Sequence, residues 1–475
     1  MTPTGREAPR RAGRDGGEAA LAGALAAVLG AGPVTGLRRL SGGASRETWA
    51  FDAGGRRLIL QRERPAGLRH AGMAAEAALL RAAGAEGVPV PAVVATDADT
   101  AAVSGEPAEA GGGALGRAWM VVERVDGETI ARKILRDDEF SAARPRLAAQ
   151  CGDALARIHR IAPGSVPGLA GGDQVAQIRS SLDAAGEPHP AFELGFRWLE
   201  RNRPASSGGG PAAVVHGDFR NGNLVVGPDG LRAVLDWELA HLGDPLEDLG
   251  WLCVRAWRFG AEPRVGGFGA VDELVGAYEG TAGVTVDRDA LHWWEVLGTL
   301  KWGIICVVQA ATHLSGVVRS VELAAIGRRV CEVEHDLLRE LPGPRLQAAG
   351  QPGPHDASPA SRSPHDAPTA IQLVEAVREF LEGDVMGATE GRVRFHARVA
   401  SRVLATVERE MAAGDGPARA HAGRLAALGY RSDADLAAAI RSGALDGRWD
   451  DVVTAVRATV ADKLAVANPA YVGGG

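Results

Sequence analysis

A chain of 475 residues, 46% of them hydrophobic, is long for one domain and suggests two or three, with ample apolar content for packed cores. Its net charge of -7 is mild at this length and offers neither the basic field that nucleic acid requires nor a strong acidic one. Cys151, Cys253, Cys306 and Cys331 form no C-x-x-C pair, which excludes a disulfide framework or zinc site in favour of reduced core thiols.

In chain order, residues 1–15 are expected to lack fixed structure. Arg10-Arg11 precedes an apolar run from Ala19 to Gly30, but Asp15 and Glu18 interrupt the approach. Leu21, Leu25, Val28 and Leu29 recur at helical spacing, so a first amphipathic helix is expected rather than an export signal, and the protein is expected in the cytoplasm. Strands follow at Leu37–Leu40, Glu47–Phe51 and Arg57–Gln61, the last two joined by a Gly54-Gly55 turn. Met73–Ala83 has a helical pattern, and Trp119–Val125 is an apolar strand ending at Asp126-Gly127.

Asp137 and Asp138 suit the start of a long helix to about His159, since acids favour the positive end of the helix dipole. Another helix is expected over Phe192–Arg201, then loop, strand, turn and strand around residues 212–236. From Pro245 to Leu341 the pattern is helical. The apolar run Leu297–Val318 contains Lys301, Gln309 and His313 and reads as a buried helix, not a membrane span. Trp293, Trp294 and Trp302 along it suit either an acceptor cleft or the core, with the core favoured.

Residues 342–369 are rich in Pro, Gly, Ser and Ala and read as a flexible linker, and its two His-Asp steps in PHDAS and PHDAP carry no metal site. Beyond it, Ile371, Val374, Val377 and Leu381 mark one amphipathic helix and Phe395, Val399, Val403, Val407 and Met411 a second. Further helices near Asp433–Arg441 and Asp450–Ala465 complete a small all-α domain over 370–475, a candidate surface for a protein partner or for self-association.

The chemistry concentrates in HGDFRNGN at His216–Asn223 and VLDWE at Val234–Glu238. Phosphoryl transfer from a nucleotide needs a carboxylate to orient a hydroxyl and an amide oxygen and second carboxylate to hold the metal on the phosphates. The spacing H-x-D-x-x-x-x-N, then a strand, a turn and an Asp, places Asp218 as the base and Asn223 and Asp236 as metal ligands. Arg220 suits either a contact to the transferred phosphoryl group or a structural salt bridge. His216 is expected to fix the loop through hydrogen bonds, and Asp248 to hold the loop backbone or cap a helix rather than bind metal.

The nucleotide half is less complete. Ser41, Gly42, Gly43, Ala44 and Ser45 lie between two strands, where small residues let backbone N–H groups approach phosphates. Kinases place a lysine on the third strand, paired to a helix glutamate. Glu76 suits the glutamate, but the strand reads Leu-Ile-Leu-Gln-Arg, with Gln61 at the expected position. Either Arg62 takes over the phosphate contact or nucleotide binding differs. By position, Glu123 to Val125 suits the interlobe hinge, where backbone groups would hold the adenine.

Asp-Trp-Glu in place of D-F-G resembles the aminoglycoside phosphotransferase and choline kinase-like superfamily, and residues from about 20 to 340 resemble it throughout. LSGGASRETW, AWMVVERVDGETI, VVHGDFRNGNLVV and VLDWELAHLGDPLEDLGWL are most similar to the branch associated with acyl-CoA dehydrogenases. The resemblance implies an α+β, bilobal protein-kinase-like fold, with a small antiparallel-sheet N-lobe over about 16–125 and a mostly helical C-lobe over about 126–341, plus the small all-α domain. It implies Mg2+, ATP or GTP as donor, and a small-molecule hydroxyl acceptor, hydroxy acids and hydroxyacyl compounds among them. Antibiotic phosphorylation and a degenerate nucleotide-binding adaptor are the alternatives. The tail resembles an uncharacterised helical domain found beside such phosphotransferases.

Overall fold

The computed structural model describes residues 12–40, 46–63, 72–104, 115–204, 212–343 and 368–471. The Ser41–Ser45 segment, the first eleven residues and most of the expected linker lie outside the described residues.

The chain runs α1 (Ala12–Leu29), β1 (Thr35–Arg39), β2 (Arg46–Ala53), β3 (Arg56–Glu63), α2 (Met73–Ala85), β4 (Val93–Thr96), α3 (Asp97–Ser104) and β5 (Trp119–Glu123). Next come α4 (Ala131–Arg136), α5 (Arg144–Ile158), α6 (Gln174–Ala185), α7 (Pro190–Arg201), β6 (Ala213–Val215), β7 (Leu224–Gly227), β8 (Gly230–Val234) and β9 (His241–Gly243). Helices α8 (Leu246–Cys253), α9 (Val271–Ala282), α10 (Arg288–Leu314), α11 (Val321–Gly327) and α12 (Val330–Glu340) follow. The tail holds α13 (Ala370–Phe380), α14 (Met386–Ala388), α15 (Gly391–Ala413), α16 (Gly416–Leu428), α17 (Asp433–Arg441) and α18 (Trp449–Ala467).

Strands β1 to β5 form one antiparallel sheet in the order β1-β2-β3-β5-β4. Gly54 and Gly55 both adopt positive φ, 57° and 75°, as a two-residue hairpin whose twist matches its strands requires. Period-two alternation sends Trp49 and Phe51 of β2 and Leu58 and Leu60 of β3 to one face, where Leu21 and Leu25 of α1 cover them. The expected antiparallel N-lobe and helical remainder are present. The expected long helix from Asp137 is broken: a 3-10 turn spans Asp138–Phe140 and α5 begins only at Arg144. Pro145 explains the break, because a proline without N–H is tolerated in a first helical turn and not in an interior.

By compactness the chain falls into two units. One comprises residues 1–171, 210–252 and 263–286, and the other residues 172–209, 253–262 and 287–475. The first holds the sheet, α5, β6 to β9, most of α8, and α9. In the second, α6, α7 and α10 to α12 group with the tail helices. There α12 carries three buried acids, each met from α18 or just beyond it. Asn468 Nδ2 donates to Glu332 (2.9 Å), Lys463 Nζ to Glu334 (3.1 Å) and the Tyr471 hydroxyl to Asp336 (2.7 Å). The expected apolar stripe packs only in part, with Val374 and Leu381 half-buried but Ile371 and Val377 exposed.

Helix α10 is long and apolar enough to cross a membrane by length and composition. Within its unit it buries Trp293 and Trp294, and Trp293 Nε1 donates to the Leu199 carbonyl at 2.9 Å, as core residues do. All four cysteines are buried and none forms a disulfide.

Candidate active site

The site lies within the first unit. Strand β6 delivers the chain to His216, and three constraints shape the turn that follows. Asp248, fully buried near the start of α8, accepts the His216 N–H at 2.7 Å and the Gly217 N–H at 2.9 Å. His159, just past the end of α5, meets the same carboxylate through Nε2 at 3.1 Å, while its Nδ1 lies 2.9 Å from the Tyr278 hydroxyl. Gly217 has φ 77°, and a Cβ there would come within 2.4 Å of the Leu239 carbonyl, so only glycine fits. The loop is thus tied to α5 and α8 by a buried carboxylate before it reaches Asp218.

His216 serves structure. Its Nε2 lies 3.1 Å from the Leu235 carbonyl, and its Nδ1 accepts the Asp218 N–H at 3.2 Å, which assigns the neutral tautomer protonated on Nε2. Burial lowers its pKa, consistent with a ring that stays uncharged. Against it packs Trp237, fully buried, with ring centroids 4.7 Å apart. The tryptophan of Asp-Trp-Glu therefore anchors the segment after β8 that carries Asp236 to the loop carrying Asp218.

Asp218 is surrounded by donors. Asn223 Nδ2 reaches its Oδ2 at 2.6 Å, Trp251 Nε1 its Oδ1 at 2.9 Å, and Arg220 Nε both oxygens at 3.0 and 3.2 Å. Asn223 Nδ2 also donates to the Asp218 carbonyl, which fixes the amide orientation and leaves its oxygen as the group for a cation. Arg220 in this state makes the salt bridge, one of its two expected roles. Trp251 falls within the DPLEDLGWL motif, but the sequence assigned it no role. It lies three residues after Asp248 on α8, so both address the loop from one helix face, and that spacing was the available signal.

Asp236 follows β8 with φ 66°, a left-handed conformation that a non-glycine residue adopts at a cost of order 1–3 kcal/mol. Its carboxyl is pushed up to about 7, first by burial, then by the charges of Glu238 and Asp218, with Arg46 opposing. Such crowding suits a divalent cation, which would relieve the repulsion. Among the described residues no cluster of three or more His, Cys, Asp or Glu could hold a metal by itself. A magnesium site built from Asn223 and Asp236 fits nonetheless, because Mg2+ is commonly held by one or two carboxylates together with substrate phosphates.

On the nucleotide side the structure redistributes the expected contacts. In the β2–β3 register Thr48 faces Gln61 and Glu47 faces Arg62. Arg62 therefore points to the α1-covered face of the sheet, where it pairs with Glu47 at 2.8 Å and donates to the Leu115 carbonyl. It does not lie with Glu76 and Asp236, because a one-residue step along a strand reverses the face. Arg46 occupies that position instead. It forms an ion pair with buried Glu76 on α2, approaches Glu238 at 3.4 Å and donates to Gln61 Oε1 at 3.4 Å. Burial works to lower its pKa, but attraction to Glu76, Glu238 and Asp236 outweighs this and raises it. At the expected hinge, the Glu123 N–H donates to the Ala92 carbonyl, its side chain pairs with Arg56, and Val125 is half-buried. The Ser41–Ser45 segment lies outside the described residues.

Fold and site together define a kinase-like phosphotransferase. The chain belongs to the phosphotransferase enzyme family, which matches residues 36–284, and residues 387–471 match a domain of unknown function, DUF6285. Human acyl-CoA dehydrogenase family member 11 is 31% identical over 145 residues, 28% of this chain and 18% of that protein. Mouse acyl-CoA dehydrogenase family member 10 is 38% identical over 81 residues, 17% of this chain and 7% of that protein. The chain thus spans under a fifth of the length of these relatives. A crystal structure from Ralstonia eutropha JMP134 assigned as an aminoglycoside phosphotransferase is 20% identical with a TM-score of 0.53, covering 67% of this chain and 97% of that one, a likeness of fold.

Proposed function

We propose that this phosphotransferase uses a magnesium-bound nucleotide to phosphorylate a hydroxyl of a small molecule, a hydroxy acid or hydroxyacyl compound being the favoured class. The carrying observation is the Asp218 carboxylate, held by Asn223, Trp251 and Arg220 on a loop tied down by Asp248. Held so, Asp218 orients the acceptor hydroxyl and takes its proton late, as the new oxygen–phosphorus bond forms and the bond to the leaving nucleoside diphosphate breaks. Asn223 and Asp236 would hold Mg2+, which when bound offsets charge on the phosphates. Arg220 can exchange its salt bridge for the transferred phosphoryl group. The acyl class is supported by similarity to the acyl-CoA dehydrogenase family members, which extends over 7% and 18% of those chains.

Phosphorus NMR with MgATP or MgGTP against hydroxy acids, hydroxyacyl-CoAs, amino alcohols and aminoglycosides tests the reading. A phosphate ester of a hydroxyacyl or hydroxy-acid substrate is expected, and Asp218→Asn should slow its formation by about 10²–10⁴-fold. Preferential aminoglycoside phosphorylation would replace the acyl assignment with the antibiotic one. Nucleotide binding without turnover of any acceptor would favour an adaptor role.

A further inference from the structure

The kinase arrangement requires a cation that pairs with a helix glutamate and contacts the nucleotide phosphates, and it draws that cation from the third strand. Here the third strand offers Gln61 facing the site and Arg62 facing away. The helix glutamate is nevertheless paired, by a residue of the second strand. We propose that Arg46 supplies the phosphate-contacting cation of the nucleotide site, with Glu76 and Gln61 positioning its guanidinium. This deepens the phosphotransferase reading above and rests on it.

The register explains how the relocation works. Gln61 lies opposite Thr48, and Arg46 is two residues from Thr48 on the same face, so Arg46 and Gln61 are diagonal neighbours. Diagonal neighbours on a sheet stand roughly 7–8 Å apart, within reach of a long side chain. Arg46 spans that offset: its Nη1 reaches both Glu76 and Gln61 Oε1, and its Nη2 reaches Glu238. A glutamine at 61 is then the suitable residue, since its amide oxygen accepts from the guanidinium where a lysine would repel it. Arg46 is also mostly buried, with 11% of its side chain exposed, so its electrostatic contribution is little screened. It sits among carboxylates that include the expected metal ligand Asp236, and a planar guanidinium carries enough donors to hold Glu76 and a phosphate oxygen together.

The test uses the full chain, with MgATP and adenosine titrated calorimetrically and acceptor-independent ATP hydrolysis followed beside them. Arg46→Met should weaken MgATP binding by about tenfold to a hundredfold, the loss of one or two charge-assisted hydrogen bonds, while adenosine affinity is unchanged. Arg46→Met combined with Gln61→Lys restores the third-strand cation beside Glu76. It should recover MgATP affinity to within about tenfold of the native chain and show a native-like melting curve. That double variant also covers the case in which Arg46→Met alone fails to fold. A folded Arg46→Met chain that binds MgATP within twofold of native would overturn the inference, as would a folded double variant that binds adenosine but not MgATP. A native chain that binds no MgATP would overturn this inference and the nucleotide reading together, an outcome distinct from both.

Discussion

Replacing Asp248 by asparagine should separate the support of the catalytic loop from the chemistry it carries. Both Asp248 oxygens accept backbone N–H groups, Oδ2 from His216 at 2.7 Å and Oδ1 from Gly217 at 2.9 Å, and Oδ2 also meets His159. An asparagine has one acceptor oxygen, so either orientation turns an NH2 group against a buried N–H. One orphaned buried donor costs about 1–3 kcal/mol, and losing the charge on the remaining bonds adds to it, so roughly 2–4 kcal/mol is expected. In a unit of this size each kcal/mol lowers the melting temperature by about 2–4 °C, giving a fall of roughly 4–16 °C. Turnover should also drop, because displacing His216 and Gly217 shifts Asp218, and misplacement by about 1 Å can cost 10²-fold. Burial raises the Asp248 pKa, but the His159 hydrogen bond, the nearby histidines and the loop N–H groups outweigh it, and the net shift is downward. The folded chain therefore binds fewer protons than the unfolded one in acid. The stabilisation is complete above the ordinary carboxylate range and is lost as pH falls through the lowered folded value. Asp248→Asn should accordingly shrink the acid-side loss of stability seen in melts from pH 7 to pH 3. A variant melting within about 1 °C of native and turning over within twofold would refute this account of the loop.

Two further expectations concern α12 and the tail. Burial pushes the Asp336 carboxyl up to about 6, with Tyr471 and Arg255 opposing, so the folded state holds the proton more tightly than the unfolded one. Stability of that unit should fall as pH rises from about 4 to 6, by on the order of 3 kcal/mol, and Asp336→Asn should flatten this slope in urea titrations; an unchanged slope would remove Asp336 as its source. Lys463→Met leaves the buried Glu334 with His189 alone and, because the Lys463 side chain is 44% exposed, should destabilise by about 1–3 kcal/mol, while Lys463→Met with Glu334→Leu should recover most of the loss. A neutral single variant, measured by denaturant midpoint, would show that the pair does not hold the tail to α12.

What the sequence disclosed follows from how locally each feature is encoded. The hairpin at Gly54-Gly55 and the Asp218–Asn223 spacing are short-range signals, and the first of these is present as expected. The break before α5 was also local, written in Pro145, and the acidic residues ahead of it obscured it. Trp251 and the tail's partners on α12 were hidden for a different reason. They are pairings across 33 and more than 100 residues, and no spacing rule reaches that far. The exposed stripe of α13 makes the converse point: amphipathic periodicity marks a face able to bury itself, but whether it does depends on neighbours that periodicity does not specify.

The missing strand lysine joins these threads. A motif treats a position as the unit, so Gln61 reads as a lost function and Arg62 as its nearest replacement. A strand pairs faces, and the face opposite Gln61 runs through Thr48 to Arg46, fifteen residues earlier in the chain. Adjacent in sequence, Arg62 is excluded by the pleat; distant in sequence, Arg46 is admitted by the register. The requirement on the site is a cation beside Glu76, and the antiparallel hairpin meets it from either strand. Alternation and hairpin register are both encoded locally, since the Gly54-Gly55 turn sets which residues of β2 and β3 oppose one another. Counting outward from that turn brings Ala53 against Arg56, then Thr48 against Gln61, and leaves Arg46 as the basic residue on the correct face.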